Sequence, residues 1–214
     1  MPRSTLLIFV VSVFLSTSEV PVVAQSPESW LEKANALDKN GFWDEAVETW
    51  EKLATTDTNS KLAVYARLKL GTTYQKLGKF QQSIDTAKAT VQFHPNNFDA
   101  HFHLANSLSA LRRFSEAVEA YEKTTILKPE EGLGYVGQGL SLFGNGDSKK
   151  AIEVLLKANI LFKGKRNISW YRDTRVMVAQ IKHFAKFPPS FSNLWLKNNL
   201  EVVRETYEKT VFNS

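Results

Sequence analysis

The sequence has 214 residues, of which 43% are hydrophobic and 23% charged, with 27 lysines and arginines, 22 aspartates and glutamates, and no cysteine. This composition excludes a disordered chain, a collagen and a multi-span membrane protein, and it fits one domain or a short array of repeats. The lack of cysteine excludes disulfide frameworks, thiolate zinc sites and cysteine nucleophiles.

The first 24 residues have the pattern of a secretory signal peptide. Arg3 provides a positive start, and an uncharged apolar run follows from Thr5 to Leu15. This run is shorter than the roughly 20 residues that a membrane-spanning helix requires, and Val22 and Ala24 are small residues at the positions that a signal peptidase reads. We therefore expect cleavage after Ala24 and export to a periplasmic, lumenal or secreted location. The alternative is an uncleaved N-terminal membrane anchor.

A period of 34 residues organises positions 27–165. Residues Tyr74–Ile84 align with Leu108–Val118 at this spacing, and Pro95 recurs as Pro129. Each period contains two stretches with apolar residues three or four positions apart, separated by a break that usually contains glycine, which predicts two helices joined by a turn. The sequence therefore predicts four helix pairs, in the units 27–63, 64–97, 98–131 and 132–165.

These repeats resemble the tetratricopeptide repeat family, whose motif combines aromatic, leucine, small and proline positions over 34 residues. The small-residue position, where the two helices of a pair approach closely, is taken by Ala34, Gly71, Ala105 and Gly139. The resemblance implies an all-α helix-turn-helix solenoid of four repeats. It also implies a non-catalytic scaffold that binds another protein or peptide.

Residues 166–214 predict two more helices after the repeats. One apolar stripe lies within 168–184 and a second within 193–212, and Pro188 and Pro189 lie in the break between them. Because a solenoid must cover its last apolar face, we expect these two helices to form a C-terminal cap.

In the resembled family the first helix of each pair lines a concave groove. The resemblance places in this groove Leu31, Asn35, Leu68, Thr72, Phe102, Asn106, Val136 and Leu140. None of them is basic, so a clamp for a terminal carboxylate is not expected. Apolar side chains beside amides suit an extended or helical segment of a partner, although Val136 and Leu140 suit equally a surface that the C-terminal helices cover.

Positive charge is concentrated in residues 163–186, which hold seven lysines and arginines and one aspartate, whereas the other 190 positions have a net charge of −1. The patch consists of Lys163, Lys165, Arg166, Arg172, Arg175 and Lys182, followed by Lys186. Such a patch suits an anionic membrane surface or an acidic partner, but the solvated outer side of a cap more often has this composition. Nucleic acid is not expected as a partner because no base-reading motif accompanies the patch.

Three sequence patterns resemble sites for ligands or modification. Gly132–Gly137 matches a dinucleotide-binding motif, but it is predicted to lie between two helices rather than after a strand. His101 and His103 are two residues apart on a predicted helix and therefore point in different directions. We expect no cofactor, no metal and no enzymatic activity. Asn167 begins a glycosylation sequon, whose use depends on the organism.

Overall fold

The structure, a computed structural model, describes residues 26–56 and 60–212. Within these ranges the chain is all-α, as predicted, and no strand is present. The helices are α1 (Pro27–Asn40), α2 (Trp43–Thr56), α3 (Lys61–Lys76), α4 (Phe80–Phe93), α5 (Phe98–Ala110), α6 (Phe114–Leu127), α7 (Gly132–Gly144), α8 (Ser148–Gly164), α9 (Ile168–Phe184) and α10 (Asn193–Phe212). The predicted signal peptide lies outside the described residues.

Side-chain caps explain where several helices begin. Ser26 accepts a hydrogen bond from the Ser29 amide at the start of α1, and Ser60 does the same for Ala63 in α3. These oxygens satisfy amides that have no partner within the helix. The first helix of a pair ends where one residue adopts the left-handed backbone conformation. Gly78 has φ +70° after α3, and Arg112 has φ +59° at the equivalent position after α5.

The prolines end the second helices of the two central pairs. α4 ends at Phe93 and α6 ends at Leu127, each two residues before a proline. Proline lacks the amide donor and restricts the residue before it, so the helix cannot continue.

Each helix from α1 to α8 packs against the next one along the chain, which gives the predicted solenoid of helix pairs. The first helices of the second, third and fourth pairs also contact one another, α3 against α5 and α5 against α7. These three helices form one continuous layer, which we call the inner face.

The solenoid has two groups of buried apolar side chains. The smaller group joins α1, α2 and α3 around Trp50, and the larger one extends from α4 to α10. Close approach of the helices depends on small residues: a Cβ added at Gly71 would overlap the His103 ring of α5, and one at Gly137 would overlap the Tyr121 ring of α6. The glycines of the 132–137 pattern therefore serve helix packing.

Candidate functional site

The last helix, α10, lies along the inner face of the solenoid. Near its start, the Trp195 ring meets Phe143 of α7 at 5.6 Å between centroids. Near its end, Phe212 meets Tyr65 of α3 at 5.8 Å, and between these points α10 packs against α5 and α7. The helix thus crosses from the fourth helix pair to the second.

An apolar stripe on α10 faces the repeats. Its members are Leu196, Leu200, Val203 and Tyr207, which are all buried and belong to the larger apolar core. They are spaced by four, three and four residues, so they lie on one side of the helix. Val203 is 0% exposed, whereas its neighbour Val202 is 49% exposed and points away from the inner face.

Tyr207 makes the most specific contacts of this stripe. Its ring stacks on Phe102 of α5 with 4.0 Å between centroids, and its hydroxyl donates a 2.7 Å hydrogen bond to Oδ1 of Asp99. Burial, and then the negative charge of Asp99, raise the pKa of Tyr207 well above its ordinary value. The phenol therefore stays neutral and donates to a carboxylate, a hydrogen bond stronger than one between neutral groups.

Charged groups surround the C-terminal half of α10. Arg204 donates to Glu208 at 2.9 Å within the helix. Burial raises the pKa of Glu208, and the positive charges of Arg204, Lys76 and Lys69 partly offset this effect. On the inner face, Lys69 and Lys76 hold the Asp38 carboxylate of α1 at 3.0 and 2.7 Å. The Glu208 carboxylate of α10 therefore lies near the basic side chains of the inner face.

The first half of α10 fits the inner face less closely. A cavity of about 580 Å³ remains between this half and the ends of α3 and α5. Its lining mixes apolar and polar side chains, among them Gln75, Phe80, Asn106, Phe114, Leu200 and Arg204. Side chains beside such a space lack part of their packing contacts, whereas Trp195 of the same half packs on Phe143 and Phe184 and donates a hydrogen bond to Gln180.

Comparison with known proteins decides the family. The tetratricopeptide repeat model matches residues 31–98, 68–130 and 102–163, which together span more than half of the chain. The chain belongs to the tetratricopeptide repeat family. Proteins of this family are generally scaffolds that bind other proteins. None of the curated proteins compared with this chain is significantly similar to it.

Solved structures of MamA proteins share this tetratricopeptide fold. A crystal structure of MamA is 25% identical, covers 66% of this chain and 81% of its own, and superposes with a TM-score of 0.60. MamA MSR-1 is 18% identical over 85% of this chain and 98% of its own, with a TM-score of 0.57. MamA from Desulfovibrio magneticus RS-1 is 16% identical over 73% and 95%, also at 0.57. The last two similarities concern the fold alone.

The residues predicted for the tetratricopeptide groove fall into two groups. Leu31 and Asn35 on α1 are half-buried. The other six are buried, namely Leu68, Thr72, Phe102, Asn106, Val136 and Leu140. Phe102 contacts α10 directly, and Asn106 accepts a 2.6 Å hydrogen bond from the Tyr121 hydroxyl while lining the cavity. Their role in binding a partner stays a prediction.

All members of the predicted basic patch are exposed, on the last turn of α8, the following loop and α9. Lys165 lies 3.8 Å from Glu131, and Arg172 lies 3.4 Å from its neighbour Asp173. Arg175 lies over the Tyr171 ring at 5.7 Å. The structure therefore places these charges at the C-terminal end of the repeat array, away from the inner face.

A buried polar cluster between α3, α4 and α5 was missed by sequence reasoning. Ser83 Oγ lies 3.1 Å from Nε2 of His103 and 2.9 Å from Ser107 Oγ, and Gln75 donates to both serines. Burial, and then the charge of Arg204, lower the pKa of His103 to about 4. Both Ser83 and His103 are closed off from solvent, so this pair holds helices together and is out of reach of a substrate.

His101 and His103 meet different neighbours. The Nε2 atom of His101 lies 2.8 Å from the Pro95 carbonyl, whereas His103 faces Ser83. Within residues 26–56 and 60–212, no three histidine, aspartate or glutamate side chains form a group that could hold a metal. No helix in the same ranges is long and apolar enough to cross a membrane.

Proposed function

We propose that this chain is a non-catalytic, exported adaptor or assembly factor whose concave groove binds a segment of another protein. The observation that supports this proposal is the occupation of the inner face by α10. A helix with one apolar side already lies there, so the surface has the shape and the chemistry that such a segment requires.

The contacts of α10 indicate the kind of segment that would bind. Four apolar positions spaced by four, three and four residues match the stripe from Leu196 to Tyr207. A hydrogen-bond donor at the last of them would reach Asp99, and a carboxylate one residue later would lie near Lys69 and Lys76. The partner is therefore an amphipathic helix with a carboxylate directly after its last apolar position.

Such a partner helix would take the place of α10. A tethered helix competes at an effective concentration in the millimolar range, so a free helix must bind more tightly or α10 must dock imperfectly. The cavity beside its first half shows imperfect packing there. The partner and α10 thus compete for the inner face, so that binding of the partner requires release of α10.

The buried chemistry of the chain supports a scaffold rather than an enzyme. The strongly shifted pKa values of His103 and Tyr207 belong to side chains closed within helix contacts, where burial is the main cause. Catalytic groups with shifted pKa values are instead expected in a cleft that a substrate can enter.

Export rests on the sequence of residues 1–24 alone. Expression in the native cell followed by fractionation tests it. Recovery of the chain outside the cytosol, with Gln25 as its first residue, is the expected result. A cytosolic chain that retains Met1 would contradict this part of the proposal and leave the groove assignment untouched.

A labelled peptide with the sequence of residues 193–212 tests the groove. In wild-type protein the peptide competes with α10 and binds weakly. Val203→Asp places a charge at a fully buried position and should release α10, so the peptide should bind at least tenfold more tightly. Val202→Asp, which changes the neighbouring exposed valine, is the matched control and should bind like wild type.

A second substitution assigns the peptide to the inner face. Asp99→Asn, introduced together with Val203→Asp, weakens the acceptor that meets the Tyr207 hydroxyl and should reduce peptide binding severalfold. Equal binding by the Val203→Asp and Val202→Asp proteins, or no effect of Asp99→Asn, would refute the assignment. Circular dichroism of each variant confirms that the repeats stay folded.

A further inference from the structure

The end of the repeat array carries an exposed surface that the groove does not explain. It comprises the outward side of α9 and the turn between α9 and α10, and we call it the end surface. Its cations are Arg172, Arg175, Lys182 and Lys186, and its apolar members are Val176, Phe187 and Phe191.

Three cations of the end surface, Arg172, Arg175 and Lys182, share one side of α9, and Lys186 follows in the turn after the helix. Trp170, Met177 and Ile181 face inward and are buried. Positions 172, 175 and 182 fall on the opposite half of the helix. The helix is about 25 Å long, so the charges form a row along the end of the molecule.

Few carboxylates balance this row. Lys182 and Lys186 have no carboxylate oxygen within 4 Å among the residues that the structure describes. Asp173 is the one acidic residue between positions 163 and 186, and it lies near Arg172 and accepts from the Ser169 hydroxyl. The row is therefore free to meet an anionic surface.

Apolar side chains protrude beside the last two lysines. Phe187 stacks on Phe191 with 5.6 Å between centroids, and the His183 ring lies 5.0 Å from Phe187. Phe191 is 67% exposed and Phe187 is 43% exposed. Pro188 and Pro189 restrict the backbone between the two phenylalanines, so the turn presents its rings in a defined arrangement.

We propose that the end surface binds an anionic lipid bilayer, with the row of cations on the headgroups and Phe187 and Phe191 at the boundary of the acyl chains. Exposed phenylalanine rings gain free energy by burial at this boundary, and each cation near an anionic leaflet adds to binding. A bilayer accepts protruding rings without a matching pocket, whereas an acidic protein would need a complementary cavity for each ring. The contact is peripheral, at one end of the scaffold, and does not involve the inner face.

Vesicle sedimentation of the full chain tests this proposal. Vesicles of phosphatidylcholine alone are compared with vesicles that also contain about 30% phosphatidylglycerol, an anionic lipid. The expected result is stronger binding to the anionic vesicles at about 0.1 M salt, and loss of that gain at about 0.5 M salt. The difference in binding between the two kinds of vesicle is the quantity compared, because the uncharged run Thr5–Leu15 has no charge that would respond to the anionic lipid.

Paired substitutions locate the contact. Lys182→Gln with Lys186→Gln should reduce the gain about 25-fold, since each cation contributes about fivefold. The control, Lys39→Gln with Lys123→Gln, removes two exposed lysines of the repeats and should leave the gain unchanged. Phe191→Ser should weaken binding severalfold, whereas Ile126→Ser, at a position that is 64% exposed on α6, should not.

Three results would overturn the proposal. They are equal binding to neutral and anionic vesicles, an equal loss in both lysine pairs, and an unchanged gain in the Lys182 and Lys186 variant. Binding to an acidic protein with no gain on anionic vesicles would assign the end surface to that other class of partner. All the substituted residues are exposed, so thermal melting should show an unchanged fold.

Discussion

Tyr207 donates a hydrogen bond to Asp99 across 108 residues of chain. Asp99 lies in the first turn of α5, and Tyr207 lies in the last turns of α10. This contact ties the C-terminal helix to the middle of the repeat array. Because this hydrogen bond can form only when α10 lies on the inner face, its loss or retention reports whether α10 is docked.

Tyr207→Phe should lower the free energy of unfolding by about 1–3 kcal/mol, because Asp99 loses a buried donor while the ring stays in place. Urea unfolding measures this change. Tyr135→Phe is the control, since its hydroxyl makes no hydrogen bond within the described part of the chain. Equal stability of wild type and the Tyr207→Phe protein would show that α10 does not dock through this contact.

Val203→Asp should release α10 without unfolding the repeats. Burying a carboxylate at a position with no exposure costs more than the helix gains from docking. Hydrogen exchange should then show rapid exchange of the α10 amides and continued protection of α5 and α7. In the Val202→Asp protein the α10 amides should stay protected. Protected α10 amides in both variants would mean that Val203 is not a determinant of docking.

Gly71→Ala should destabilise the protein by about 1–3 kcal/mol through overpacking. The added methyl group would overlap the His103 ring, which Ser83 and the surrounding helices hold in place. Gly164→Ala is the control, because nothing lies within 4 Å of its added Cβ. Thermal unfolding measures both. A melting temperature of the Gly71→Ala protein equal to that of wild type would contradict the close approach of α3 and α5.

Stability should fall as the pH drops from about 6.5 to about 4 because of His103. Burial, and then Arg204, lower the pKa of His103 from 6.5 to about 4. Between these values the unfolded chain binds a proton that the folded protein does not, so acid favours unfolding. At about 1.4 kcal/mol per pKa unit, the loss from this residue is about 3 kcal/mol.

Two histidine variants isolate this contribution. His103→Gln should show a smaller loss of unfolding free energy over the same pH range, because the titrating group is gone. His183→Gln changes an exposed histidine and should keep the full loss. An identical pH dependence of wild type and His103→Gln would show that His103 titrates normally in the folded protein.

The repeat array could be predicted from the sequence because its signals are local. Glycine at position 78 and prolines at 95 and 129 mark the ends of helices, and the 34-residue period sets the number of pairs. The all-α fold and the presence of two C-terminal helices were confirmed. The left-handed conformation of Arg112 was not signalled by residue type, although its place in the period indicated a break there.

The position of α10 could not be predicted to the same degree. The stripe from Leu196 to Tyr207 shows that one side of the helix is buried, but periodicity does not name the surface that buries it. The sequence signal for this contact lay in the repeats. Phe102, Val136 and Leu140 are apolar residues on the first helices of the pairs, and such a surface must be covered by another element. The cluster around Ser83 and His103 was missed because its members lie on three helices and share no motif.

The docking of α10 also changes how the protein should come apart. A solenoid whose repeats touch their neighbours alone can fray from either end, one repeat at a time. Here a single helix contacts the second, third and fourth pairs. α10 must therefore dissociate from the inner face before any one of these pairs can unfold. With α10 docked, these three helix pairs should unfold together in one cooperative transition. With α10 released, the repeats should unfold one after another from the ends of the array.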